Sequence, residues 1–71
     1  MAERPVNDIR TLRFLHGEMT QVELGRRIGL TRQTVAAIEQ GRYSPSLETA
    51  LRIARVFNKP VEAIFRWERQ P

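Results

Sequence analysis

Residues 20–57 read TQVELGRRIGLTRQTVAAIEQGRYSPSLETALRIARVF, and the punctuation of this stretch decides the fold. Thr20-Gln21-Val22-Glu23 has the spacing of a capping box, in which the threonine oxygen accepts from the amide three residues on and the glutamate reaches back. A helix therefore starts there, with Leu24 and Ile28 one turn apart on its buried face. Gly29 stands where a helix ends in a left-handed residue. Leu30 follows, and Thr31 caps another helix running to about Gln40, whose apolar stripe is Val35 and Ile38. Gly41 closes that helix as Gly29 closes the one before. Arg42-Tyr43-Ser44-Pro45-Ser46 is a loop that ends on a further cap, Ser46. The next helix carries Leu47, Ala50, Leu51, Ile53, Ala54 and Phe57, and Asn58 stops it.

Outward from this stretch the pattern stays helical. Asn7 or Asp8 caps a first helix with Ile9, Leu12 and Leu15 on one side, ended by His16-Gly17-Glu18. Residues 1–7 are polar around Pro5 and read as an arm or a short extended piece. Pro60 suits the first turn of a fifth, short helix holding Val61, Ile64 and Phe65. Arg66-Trp67-Glu68-Arg69 reads as a strand or a frayed end. The expected class is all-α: a compact five-helix domain, with its last residues as the place for a short terminal β-strand. The whole 71-residue chain is expected to be one domain, with its core at about 8–65 and a tail at 66–71.

Two helices joined by a short glycine-containing turn, here Ile28-Gly29-Leu30-Thr31, form a helix-turn-helix. In that motif the first helix lies across the groove and the second points its N-terminal residues at the base edges. The residues opening the second helix are Thr31, Arg32, Gln33 and Thr34, all hydrogen-bonding types, while Val35 and Ile38 face inward. Arginine suits guanine O6/N7 and glutamine suits adenine N6/N7.

At this point the sequence resembles the Cro/C1-type, or Xre, helix-turn-helix family, from about Ile9 to Phe65. Gln21, Leu24, Gly29, Glu39, Gly41 and the Pro45-Ser46-Leu47 step each fall where the family places them. The similarity is greatest to short stand-alone members, which end in an isoleucine-phenylalanine-x-aromatic segment, seen here as Ile64-Phe65-Arg66-Trp67. The resemblance implies a DNA-binding transcriptional regulator. It implies that Gln21 contacts a backbone phosphate and braces the recognition helix, and that Arg32 and Gln33 read bases. Thr34 would touch phosphate or a thymine methyl, and Ala37, one turn on, a methyl. Arg42, Tyr43 and Ser44 would hold the adjacent phosphates, and Arg13 would pair with Glu39. Two features depart from the common pattern. Gly25 stands where the family usually has alanine, weakening its helix by about 0.5–1 kcal/mol. The His16-Gly17-Glu18-Met19 turn is one residue longer than usual.

Without the resemblance, Gln21 reads as a helix former and Thr31 as a plain cap, and Arg26, Arg27, Arg52 and Arg55 read as solvated faces. Twelve Lys and Arg against eight Asp and Glu give a net charge of +4, and the pI is near 11.1. Such a balance suits a polyanionic partner, double-stranded DNA among them. There is no cysteine and a single histidine, His16, so no metal site is expected, and no nucleophile–base pair or phosphate-cradling loop points to an enzyme or a cofactor. No apolar run reaches membrane length and no signal peptide opens the chain, so a cytoplasmic protein of the bacterial nucleoid without an effector domain is expected. A membrane-surface helix is excluded because Leu24, Ile28, Val35 and Ile38 are needed for a core.

Phe65 and Trp67 need cover in a chain with little core to spare. Packing on the first or fourth helix would supply it. A symmetric homodimer with the fifth helix and tail at its interface (Ile64, Phe65, Trp67) would supply it too, and would set two recognition helices about 34 Å apart, one turn of DNA. The reading favoured is a homodimeric regulator, most simply a repressor, on an inverted repeat. The alternatives are an antitoxin that binds both DNA and a toxin, and an interaction module that does not bind DNA.

Overall fold

The computed structural model describes residues 3–69. Four α-helices, a single 3-10 turn and a two-stranded antiparallel sheet follow in the order β1 (Glu3–Asn7), α1 (Ile9–Leu15), α2 (Gln21–Ile28), α3 (Arg32–Glu39), α4 (Leu47–Phe57), the 3-10 turn Val61–Ala63 and β2 (Phe65–Arg69). Residues 1, 2, 70 and 71, the ends of the expected arm and tail, lie outside the described residues.

The caps act as the sequence predicts. The Thr20, Thr31 and Ser46 side chains accept from the amides of Glu23, Thr34 and Thr49 at 3.0, 3.2 and 3.1 Å. Each bond satisfies an amide that the first helical turn would otherwise leave without a partner. Glu23 does not reach back to complete the box. Its carboxylate accepts from Arg26 and Arg27 instead, and those bonds, Arg27's first, hold its carboxyl below the usual range. At the start of α1 it is Asn7, not Asp8, that caps: its Oδ1 accepts from the Ile9 amide at 3.2 Å. Asp8 pairs with Arg66 at 2.8 Å.

Three expectations are corrected here. The class is mostly helical rather than all-α, because the first and last segments pair from Glu3↔Arg69 to Asn7↔Phe65. The arm and the tail are thus two strands of one ribbon. The fifth helix is absent. Pro60 does open a turn, but only Val61–Ala63 takes helical form, and Phe65 already belongs to β2. A five-residue helix cannot recover its nucleation cost, and valine, isoleucine and phenylalanine fit a strand once β1 offers its backbone. Ile64, expected at a dimer interface, is fully buried within the protomer (0% exposed), and its carbonyl accepts from the Asp8 amide at 3.1 Å.

The core gathers Ile9 and Leu12 from α1, Leu24 and Ile28 from α2, Val35 and Ile38 from α3, and Ile53, Ala54 and Phe57 from α4, with Met19 and Ile64 closing it. His16 seals one edge, its ring edge-on to Phe57 at 5.0 Å and its Nδ1 2.9 Å from the Leu12 carbonyl.

The turn between α2 and α3 fixes how the two helices cross. Gly29 takes φ 78° as the left-handed cap of α2. Gly25, one turn earlier, is buried, and its carbonyl accepts from the Leu30 amide at 2.8 Å. A Cβ on Gly25 would run into the Leu30 carbonyl oxygen, a backbone atom that cannot swing aside. Gly25→Val is therefore expected to cost about 3 kcal/mol and to lower the melting temperature by roughly 12–24 °C, measured by thermal denaturation. An alanine there regains helix propensity that offsets part of the same clash, so its loss is smaller.

Candidate nucleic-acid interface

The α2–turn–α3 unit exposes the start of α3. Thr31, Arg32 and Gln33 are exposed and Thr34 half-buried, while Val35 and Ile38 on the opposite side are buried. Gln33, Thr34, Ala37, Leu30 and Tyr43 surround a shallow hollow of about 380 Å3. Four residues expected to read DNA thus share one surface, which continues over Tyr43, 54% exposed. Arg42 and Ser44 are also exposed in the loop after α3. The amides of Gly41 and Arg42 bond back to the Ile38 and Ala37 carbonyls at 3.0 and 2.9 Å. This is the Schellman pattern, and it fixes the loop against the end of the helix.

Behind this surface runs a chain of polar contacts across three helices. Arg13 donates from Nε and Nη2 to the two Glu39 oxygens at 2.6 and 3.0 Å, and from Nη1 to the Met19 carbonyl at 2.7 Å. The pair is largely shielded, with side chains 14% and 7% exposed. Glu39 Oε1 also accepts from Gln21 Nε2, and Gln21 Oε1 accepts from Arg32, both at 3.2 Å. The first residue of α2 therefore connects a sheltered ion pair to an exposed arginine at the tip of α3. Fixing Arg32 in this way lowers the side-chain entropy that a bound state would have to remove.

Beside Gln21 opens a cleft of about 510 Å3, lined by Arg10, Arg13, Thr20, Gln21, Glu39 and Gln40. Sequence reasoning singled out neither Arg10 nor Gln40. Arg10 stands three residues before Arg13 and so on the same side of α1, a spacing that could have found it. Asn7 was noticed only as a cap, yet its Nδ2 also donates to the Ile38 carbonyl at 3.0 Å and ties β1 to the end of α3. Other arginines are engaged elsewhere: Arg26 and Arg27 with Glu23, Arg52 with Glu48, and Arg66 with Asp8. The structure does not bring Ile64, Phe65 and Trp67 together at a surface. Ile64 is inside, Phe65 half-buried, and Trp67 69% exposed on β2.

A capped helix presenting hydrogen-bonding side chains at its free tip, set by a glycine turn across a second helix, places the molecule among helix-turn-helix proteins. A helix-turn-helix family profile matches residues 9–69. The chain is 44% identical over 62 residues to an HTH-type transcriptional regulator of Methanocaldococcus jannaschii, covering 87% of this chain and 92% of that one. It is 45% identical over 64 residues to the HTH-type transcriptional regulator YgzD of Bacillus subtilis, covering 90% and 96%. A crystal structure of a protein from Bacteroides fragilis, described as DNA-binding, shares the fold with a TM-score of 0.74 at 18% identity, over 87% of this chain and 98% of that one. The chain belongs to the Cro/C1-type (Xre) family of helix-turn-helix regulators. Its relatives include an archaeal protein as well as a bacterial one, so the likeness does not by itself assign a bacterial source. No helix among the described residues is long and apolar enough to cross a membrane.

Proposed function

We propose that this protein is a sequence-specific, double-stranded-DNA-binding transcriptional regulator that reads the major groove with α3. The observation that carries the reading is the chain from the Arg13–Glu39 pair through Gln21 to Arg32, which holds the Arg32 guanidinium at the tip of the exposed helix, where a base reader would stand. Arg32 and Gln33 contact base edges. Thr34 and Ala37 touch a phosphate or a methyl from the same face. Thr31, Gln21, Arg42, Tyr43 and Ser44 hold the flanking phosphates, and the cleft beside Gln21 brings Arg10 within reach of the same strand. The protein acts as a homodimer on an inverted repeat with half-sites about 34 Å apart, and represses by occupying the promoter in the cytoplasm. Trp67, with the exposed edge of Phe65, is the part of the tail left to offer a partner.

Selection of bound fragments from a random duplex pool, at near-physiological salt with competitor DNA, tests this. The expected result is an inverted repeat with half-sites one helical turn apart. On the selected site, Arg32→Ala is expected to cost about 1–3 kcal/mol and to relax preference at one position in each half-site. An equal loss on random duplex would reduce Arg32 to a phosphate contact. Failure to enrich any sequence, with only salt-sensitive binding, would favour a partner-dependent antitoxin or an interaction module instead.

A further inference from the structure

A homodimer needs more contact surface than the exposed tryptophan of the tail supplies. A stable contact buries about 800 Å2 on each partner, whereas one tryptophan contributes about 150–250 Å2. A second apolar surface stands on α4. Leu47 and Leu51, one turn apart, are 75% and 53% exposed, and with Glu48, Arg52 and Arg55 they line a groove of about 390 Å3. The opposite face of α4 (Ala50, Ile53, Ala54 and Phe57) already serves the core, so folding of the protomer does not explain the outer leucines.

The charges around them are ordered. Glu48 lies in the first turn of α4 and Arg55 in the last, and Arg52 between them bonds Glu48 at 2.6 Å. Opposite signs at opposite ends suit the helix dipole, but they also make the face complementary to itself in a single orientation. Turned about a two-fold axis through Leu51, α4 lies antiparallel to its copy. Leu51 then meets Leu51, Leu47 meets the aliphatic stem of Arg55, and Glu48 comes beside the Arg55 guanidinium. An isologous contact requires such self-complementarity. Phe14 and Leu15 are also exposed, at 66% and 68%, but they end a seven-residue helix and offer no length along which a copy could align.

We propose that the outer face of α4 (Leu47, Glu48, Leu51 and Arg55) is the seam on which a second copy of this chain docks antiparallel. This inference rests on the homodimer reading and names its surface. The test is sedimentation of the full chain across a concentration series, with circular dichroism and melting curves as folding controls. Leu51→Glu is expected to raise the dimer dissociation constant about 30-fold or more while the fold is kept, because the new carboxylate is exposed and one turn from Arg55. Glu48→Arg and Arg55→Glu are each expected to weaken the dimer, and the two together to restore it, since the pair is then reversed rather than broken. Trp67→Ala is expected to stay dimeric. A dimer untouched by Leu51→Glu and by both charge reversals, and lost with Trp67→Ala, would overturn the seam and leave the homodimer standing on the tail. A wild-type chain that stays monomeric throughout the series, with or without the selected DNA, would overturn the homodimer reading and the seam together.

Discussion

Glu39→Ala is expected to destabilise the protein by about 3–5 kcal/mol, because it leaves the Arg13 guanidinium sheltered without a counter-charge. The pair is a bidentate one with both side chains mostly out of water, so the usual small value of a surface ion pair does not apply. After the substitution Arg13 retains only the Met19 carbonyl among its present partners. A domain of this size has a total stability of about 5 kcal/mol, so the variant should be close to unfolded at ambient temperature. Urea titration followed by circular dichroism measures the loss. Converting both residues together to apolar side chains of similar volume should recover most of it. A loss below about 1 kcal/mol would mean that water reaches the pair and screens it. Glu39→Gln separates stability from recognition: the shape is kept and the charge removed, so the Gln21 contact can persist while Arg13 is left uncompensated. If the polar chain positions Arg32, this variant keeps its base preference despite its loss of stability, whereas Glu39→Ala, which also removes the Gln21 contact, loses it.

Ile64→Ala is expected to cost about 2–5 kcal/mol, as for other wholly buried aliphatic side chains. Ile64 is 0% exposed and sits where the 3-10 turn passes into β2, in contact with the same core as Leu24 and Phe57. Its removal opens a cavity at the junction of the ribbon and the helices. Because the contacts lie within one protomer, the change in stability should be the same at low and high protein concentration, and the dimer dissociation constant should not move. A loss that faded as the protein was diluted would return Ile64 to an interface between subunits. The contrast with Leu51 is the useful one. One side chain is buried by its own chain and the other is left out of the core by it.

Much of the fold was legible because its determinants are local. A threonine or serine three residues before a free amide defines a helix start within one turn of chain, and Thr20, Thr31 and Ser46 all act in this way. The glycine at position 29 and Asn58 end α2 and α4 in left-handed conformations, again from local sterics. With the starts, the stops and the apolar spacing known, the helix-turn-helix follows, and so does the exposed tip of α3. The same local rules misjudged the end of the chain. Val61, Ile64 and Phe65 have helical spacing, and nothing adjacent contradicts a helix.

The sequence by itself determined which segments become α1 to α4, where they begin and end to within a residue or so, and which residues stand at the exposed start of α3. Those choices rest on bonds spanning three or four residues. The tertiary structure alone decided the rest. The segments at 3–7 and 65–69 carry little strand pattern, and each is extended because the other supplies its hydrogen-bond partners across the length of the chain. That pairing turns Ile64 inward and ends the helical pattern after Ala63. It also brings Asn7 to the end of α3, while the packing of the helices brings Gln21 between Glu39 and Arg32. Contacts between residues far apart in sequence have no local period to announce them, and they form only where the packed core has already set the distance.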